Sequence, residues 1–261
     1  MDRRHSRIAL VAALLLGTAA LTAQTESPGT EAPPTVERDF RVFAVERKPI
    51  DGVFVTDADG ADVELVFERK YRSEVYTYKG PPTMVFFRRS TGPEGAVVRT
   101  PVATAAIPAE VKEPLIFFMD TPQTEADDDA PATRQREFNL VWIDDSLQSF
   151  PYGTVRVLNA CGAPLKGKIG PEAVSLGYET TPPLPTSRLR SGGSGWVNIG
   201  FAVKVQDEYE LVYRNDVQFD DAARSILVLR PPRRPRSLRV DTYLIEEYMP
   251  PPEETAAGES L

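Results

Sequence analysis

Histidine is nearly missing from this chain. The single one, His5, falls in the first few residues, inside a segment that reads as an export signal. The remainder therefore offers no His-dependent triad, no imidazole base and no His metal ligand. Cysteine is as scarce. Cys161 stands alone, so no intrachain disulfide forms even in an oxidising compartment. It follows the strand-like run 155–158 and precedes Gly162. It reads as a small buried hydrophobe, because no imidazole is at hand to activate it as a nucleophile. Gly-rich phosphate loops, P-loops and nucleophile elbows are missing. So is a basic excess. The net charge of −8 excludes a general nucleic-acid binder and mainly favours solubility. Beyond the N-terminus no segment carries a convincing 3.6 period. The 24 prolines cluster between short apolar runs, which suits the loops and edges of a β protein.

What is present begins with a secretory signal layout over residues 1–23. Arg3, Arg4 and Arg7 form a positive start, 8–16 an apolar stretch, and Ala20, Thr22 and Ala23 a small-residue cleavage site before Gln24. The apolar stretch up to Ala23 is shorter than the ~20 residues of a membrane span, so cleavage is expected, leaving no membrane span. No Cys follows it to carry a lipid. Cleavage removes three arginines and Asp2 and leaves the chain more acidic. The expected location is periplasmic or secreted. Residues 24–38, with little to bury, read as a disordered linker, and 249–261 as a disordered tail.

Between these segments the chain repeats itself. Residues 41–52, RVFAVERKPIDG, recur at 156–167 as RVLNACGAPLKG. Both copies open on Arg-Val and close on Pro, Ile or Leu, any residue, Gly. Each half also ends alike: an apolar strand (115–119, 226–230), a punctuated loop, a second strand and an acid pair (Asp144-Asp145, Glu246-Glu247). Short strands with turn signals between them predict an all-β chain of two tandem immunoglobulin-like β-sandwich domains, 39–147 and 148–248. The Cys–Trp–Cys pattern is absent, so the likeness is one of shape. The copies predict that Val42 and Val157 occupy equivalent core positions. They also predict that Gly52 and Gly167 each start a second strand, and that each half's last two strands pair antiparallel. Pro101 predicts an edge or a bulge. Trp142 is placed in the core, and the Pro/Ser/Gly-rich stretch 179–195 is read as loop.

Four constellations could carry chemistry. Asp57, Asp59, Asp62 and Glu64 give a D-x-D-G-x-D-x-E run of oxygen ligands suited to Ca²⁺. The spacing is not that of an EF-hand, and a hairpin turn selects the same residues. The acid pairs could supply general acid and base. Neighbours on a strand face opposite ways, however, so solvated strand ends is the expectation. Arg230, Arg233, Arg234, Arg236 and Arg239 form a possible anion-binding loop. It could meet an anionic polymer, or the acidic stretch 127–129 of the same chain, or simply be solvated. Tyr71, Tyr76, Tyr78, Phe150, Tyr152 and Trp196 are candidate sugar-stacking aromatics, although Tyr is also a good strand residue. No motif implies a cofactor.

The run FPYGTVRVLNACGAPLKGKIG, preceded by IDDS, resembles a group of uncharacterised secreted β-sandwich proteins of Verrucomicrobia-like bacteria. The matching residues are Phe150, Pro151, Gly153, Asn159, Pro164 and Leu165. The resemblance implies an exported β protein and brings no activity with it. The resulting expectation is a non-enzymatic binding or structural module of the cell envelope, partnered by an envelope protein or polymer. The alternative is a carbohydrate-binding or glycan-processing protein. N-terminal sequencing of exported material is expected to start near Gln24, and a cytoplasmic chain starting at Met1 would contradict the export reading.

Overall fold

The computed structural model describes residues 34–250 except 47, 69–70, 121–136, 191–194 and 235–236. The expected export signal, the stretch 127–129, Arg236 and nearly all of the expected tail lie outside the described residues. The first half runs β1 (Val36–Ala44), β2 (Phe54–Thr56), β3 (Asp62–Glu64), β4 (Tyr76–Gly80), β5 (Thr83–Thr91), β6 (Val97–Ala106), β7 (Pro114–Asp120) and β8 (Phe138–Asp144). The second runs β9 (Thr154–Asn159), β10 (Leu165–Ile169), β11 (Glu172–Leu176), β12 (Leu184–Pro185) and a one-turn helix α1 (Thr186–Leu189). It ends with β13 (Trp196–Val205), β14 (Glu208–Gln218), β15 (Ala223–Arg230) and β16 (Asp241–Tyr248). The protein is all-β, built of β-sandwiches.

The two halves have one strand order. In the first, the sheets are β4-β1-β7-β8 and β3-β2-β5-β6; in the second, β12-β9-β15-β16 and β11-β10-β13-β14. Renumbering the second half from one reproduces the first. β1 runs parallel to β7 with Val42 beside Ile116, and β9 parallel to β15 with Val157 beside Leu227. Both valines are fully buried, in equivalent places. β7 pairs antiparallel with β8, and β15 with β16, as the repeat predicts. Each sandwich has its own core. Phe40, Val42, Met84, Phe86, Ile116 and Phe118 centre the first, and Val157, Ile199, Phe201, Leu227 and Leu229 the second.

Several details follow from local chemistry. The hairpin between β2 and β3 turns on Gly60, whose positive φ Gly adopts without strain. Pro101 lies in β6, an edge strand, opposite Phe87 where the register with β5 shifts. An edge and an irregularity are where a missing N–H is tolerated. Trp142 is partly buried at the margin of the first core.

Three expectations are corrected. Residues 36–38, expected in the disordered linker, belong to β1, because β1 extends along β4 as far as Gly80. Gly52, with positive φ, lies just before β2, but Gly167 sits inside β10. There a Cβ would collide with the Gly200 carbonyl and the Phe201 ring, so this glycine makes room for core packing. Within 179–195, residues 184–189 are ordered as β12 and α1. Leu189 is fully buried there, and Thr186 donates to the Gly153 carbonyl at 2.9 Å.

The described residues form one compact unit, and a third apolar cluster explains why. Phe43, Leu115, Phe117 and Ile143 of the first half pack with Phe150, Leu158, Ile226, Val228 and Ile245. The sheets containing β1 and β9 thus lie face to face, giving four layers with a shared apolar seam. Alternation sorts the side chains: Ile116 and Phe118 enter the first core while Leu115 and Phe117 enter the seam. Burying each such side chain contributes about 1.5–3 kcal/mol, so the halves should not separate before they unfold. The chain's two tryptophans fall one per sandwich, Trp142 on β8 and Trp196 on β13. Denaturation of the Trp142→Phe and Trp196→Phe variants, followed by the remaining tryptophan, is expected to give coincident curves. Ile226→Ala in the seam should lower both by about 2–5 kcal/mol. Two separated transitions would contradict a shared seam.

Candidate functional site

β15 carries Arg224, Ile226, Val228 and Arg230 on its seam face. In register on β16, Arg224 stands opposite Glu247 and Arg230 opposite Asp241. The apolar seam is therefore bracketed at both ends by cross-strand ion pairs. At one end the bracket becomes a network. Arg72, from the segment between β3 and β4, grips Asp145 with two bonds: Nε to Oδ2 at 2.7 Å and Nη2 to Oδ1 at 3.0 Å. Its Nη1 reaches Glu247 at 2.9 Å. Arg224 also reaches Glu247, at 2.8 Å, lies 3.5 Å from Asp145 Oδ2 and donates to the Asp145 backbone carbonyl. The Phe150 and Tyr152 rings flank its guanidinium at 5.6 and 5.9 Å. Asp145 and Arg224 side chains are each 4% exposed.

The expectation of solvated acid pairs is thereby corrected. Adjacent acids do point opposite ways, but Asp145 and Glu247, one from each pair, converge on the same two arginines. Their partners Asp144 and Glu246 serve elsewhere. Asp144 organises the link between the sandwiches: it accepts from Ser149 Oγ at 2.6 Å, Ser146 N at 3.2 Å and Glu113 N at 3.3 Å. Burial pushes its carboxyl up, but these bonds together outweigh burial and hold it below the usual carboxylate value. Arg156, the second copy's opening arginine, lies 5.3 Å over the Phe150 ring and donates to Ser149 O at 3.0 Å. Burial draws it below the ordinary guanidinium value, against the pull of Asp144 and Asp145. Arg41, its counterpart, lies 4.0 Å from Asp145. The repeated Arg-Val thus places its valine in a core and its arginine at the seam.

The hairpin carboxylates are not brought together as a ligand set. Asp57 Oδ1 accepts from Asp59 N and Ala61 N, the bonds of a turn. Asp62 pairs with Arg99 at 2.7 Å, and Glu64 accepts from Gly52 N at 2.9 Å. No group of three or more metal-ligating side chains occurs among the described residues. Asp59 takes no part in these side-chain contacts. In the arginine loop, Arg230 and Arg233 both bind Asp241, at 2.8 and 3.1 Å. Arg234 and Arg239 are exposed. Beside Arg230 a cleft of about 350 Å³ opens between the sandwiches, with Glu46, Lys48, Ile50, Phe67 and Tyr243 on its walls. Of the proposed sugar-stacking aromatics, Tyr76, Tyr78 and Phe150 are buried, while Tyr71 and Trp196 are exposed on different sandwiches. Cys161 donates to Asn159 Oδ1 at 2.8 Å, and burial raises its thiol pKa, which suits a structural role.

One pocket escaped the sequence reading. Arg190, Gln218, Asp220, Asp221, Glu246 and Tyr248 line an open hollow of about 410 Å³. Burial, reinforced by Asp220, raises the Glu246 carboxyl, while bonds from Thr186 and Arg190 lower that of Asp221. The acid pair at Glu246 was a visible signal, but its meeting with Asp220 and Asp221 depends on the β15–β16 register.

No family model matches the chain, and no curated protein does either. No helix among the described residues is long and apolar enough to cross a membrane.

Asp145→Ala removes the buried carboxylate that Arg72 grips with two bonds and leaves both arginines sharing Glu247 alone, and it is expected to cost about 3–5 kcal/mol in chemical denaturation. Asp144 has a folded-state pKa below its unfolded value, so its stabilisation is present above the ordinary carboxylate pKa and lost as pH falls through the folded one. Melting temperature against pH should show a shallower acid limb in Asp144→Asn than in the native protein.

Proposed function

We propose that the chain is an exported, non-enzymatic envelope module whose joined sandwiches bind another envelope component. The observation that carries this reading is the fate of the acid pairs. Asp145 and Glu247, candidates for acid–base work, are held by Arg72 and Arg224, and Asp144 fastens the link. Their geometry serves rigidity. A rigid four-layer block leaves the outer sheets on its two sides to meet a partner. The N-terminal signal pattern and the likeness of the 150–165 run to secreted bacterial proteins support export. The immunoglobulin-like label belongs to this reading as an outline of two facing sheets.

A second reading, glycan processing, has its own observation: the hollow where Glu246 is pushed up and Asp221 held down. Such a divergence is how acid and base roles are assigned in carboxylate enzymes. The two readings separate in one experiment. The mature protein is incubated with envelope material of its source, and bound protein and released fragments are both measured. Retention without cleavage is the expected outcome. Fragment release abolished by Glu246→Gln would establish the second reading instead.

A further inference from the structure

We propose that the outward face of the sheet β11-β10-β13-β14 docks an anionic polysaccharide, held by Lys166, Lys168 and Arg214 above a floor of Gly200 and Ala202. This rests on the reading of the chain as a binding module and names its partner.

The register builds the surface. On β13, residues 197, 199 and 201 enter the second core, so 200 and 202 face outward. Gly200 lies between Lys168 on β10 and Arg214 on β14, and Ala202 lies between Lys166 and Leu211. Strands are about 4.8 Å apart, so the long side chains flank a trough about 10 Å wide, the scale of a single sugar chain. Packing does not require its floor to be bare. A Cβ on Gly200 would meet nothing nearer than the Tyr213 carbonyl at 3.9 Å, in contrast to Gly167. A glycine inside a strand weakens it, and often marks close approach by something else.

Among the described residues, no carboxylate pairs with Lys166, Lys168 or Arg214. Asp216, in the same outward row, is engaged by Asn198 Nδ2 at 2.8 Å. The outer sheet of the first sandwich supplies an internal contrast. There Arg89 and Arg99 lie over the Phe54 and Phe87 rings and share Asp62, so its cations are satisfied from within. The cations of the second face, without a carboxylate partner among the described residues, sit on a protein of net charge −8, where a local positive strip selects an anion. Beside them Tyr209 is 52% exposed, with Lys166 Nζ 5.5 Å over its ring. A ring next to spaced cations suits a sugar that carries carboxylates, since sugar faces stack on aromatics and carboxylates pair with Lys and Arg. An acidic peptide fits less well. Extended peptides bind sheets by adding to an edge, and this is a face, whose backbone donors are already engaged in the ladder.

The test uses the mature chain and three soluble probes at low salt: polygalacturonate, poly-L-glutamate and neutral dextran. Polygalacturonate is expected to bind and dextran not to. The exposed triple variant Lys166→Glu, Lys168→Glu, Arg214→Glu should weaken polygalacturonate binding about tenfold or more. Lys112→Glu, an exposed charge reversal on the first half, should leave it unchanged. Gly200→Gln fills the trough without changing charge and should also weaken binding. Tyr209→Ala should weaken the polysaccharide but not the peptide. Equal polygalacturonate binding by native and triple variant, or none by the native chain, overturns the proposal. Tighter binding of poly-L-glutamate with no effect of Tyr209→Ala replaces the polysaccharide with an acidic peptide. Retention of the triple variant on envelope material at the native level removes this face but leaves the binding module standing. Failure of the native protein to be retained at all removes both.

Discussion

Arg72 and Arg224 hold a buried Asp145 and a partly exposed Glu247 at one end of an apolar seam, and the rest of the molecule is arranged around that contact. The seam supplies stability and the ion network supplies alignment, because the two interactions differ in kind. Apolar burial is favourable but non-directional. It would permit the facing sheets to slide. A buried ion network contributes little net stability compared with well-packed apolar groups, yet is costly when misaligned. Sliding one sheet along the other would strand charges at the Asp145 end, and at the Arg230–Asp241 end it would disturb the second bracket. The link between sandwiches is fixed by the same region. Asp144 gathers Glu113, Ser146 and Ser149, and Phe150 turns inward to the seam.

The layers then divide the labour. The inner sheets bury the middle of both faces, one in a core and one in the seam, and open to the surface mainly at their ends and at the cleft and hollow described above. The outer sheets have one face each, and they differ. On the first, arginine, phenylalanine and Asp62 close on one another. On the second, lysines and Arg214 stand over small residues. One framework thus carries two outer faces of different chemistry, the first neutralised by its own carboxylate and the second not.

Much of the fold was legible in the chain. Alternation and turn residues located the strands, and the wholly apolar runs 115–119 and 226–229 identified the central ones. Why those runs are wholly apolar was not legible. A strand central in a lone sandwich has one buried face, whereas β7 and β15 are buried on both, and periodicity alone does not report what covers the second face. The repeated Arg-Val was visible, but not that its arginine looks into a seam. For the acid pairs, the rule that strand neighbours face apart was sound. The error was to assume water on both sides. Asp145 is 73 residues from Arg72 and 79 from Arg224, and nothing local in either arginine's surroundings distinguishes it from a surface cation. The ordered stretch 184–189 was hidden for the same reason: its anchors, Gly153 and Asp221, are distant in sequence.

Strand register gives Asp145 and Glu247 the same rank in their halves, since Ile143 pairs with Leu115 as Ile245 pairs with Ile226. Equivalent residues therefore meet across the seam, which is the signature of an isologous contact, as in a homodimer with two-fold symmetry. In such a dimer of free subunits every position must tolerate its own copy, so an acid near the axis faces an acid. Arg224 resolves that repulsion, and the position of the same rank in the first half is Glu113, of opposite charge. When the two copies are joined in one polypeptide, a position can carry different residues in each. The arrangement at Asp145 is thus asymmetric in a way that tandem fusion allows and self-association does not.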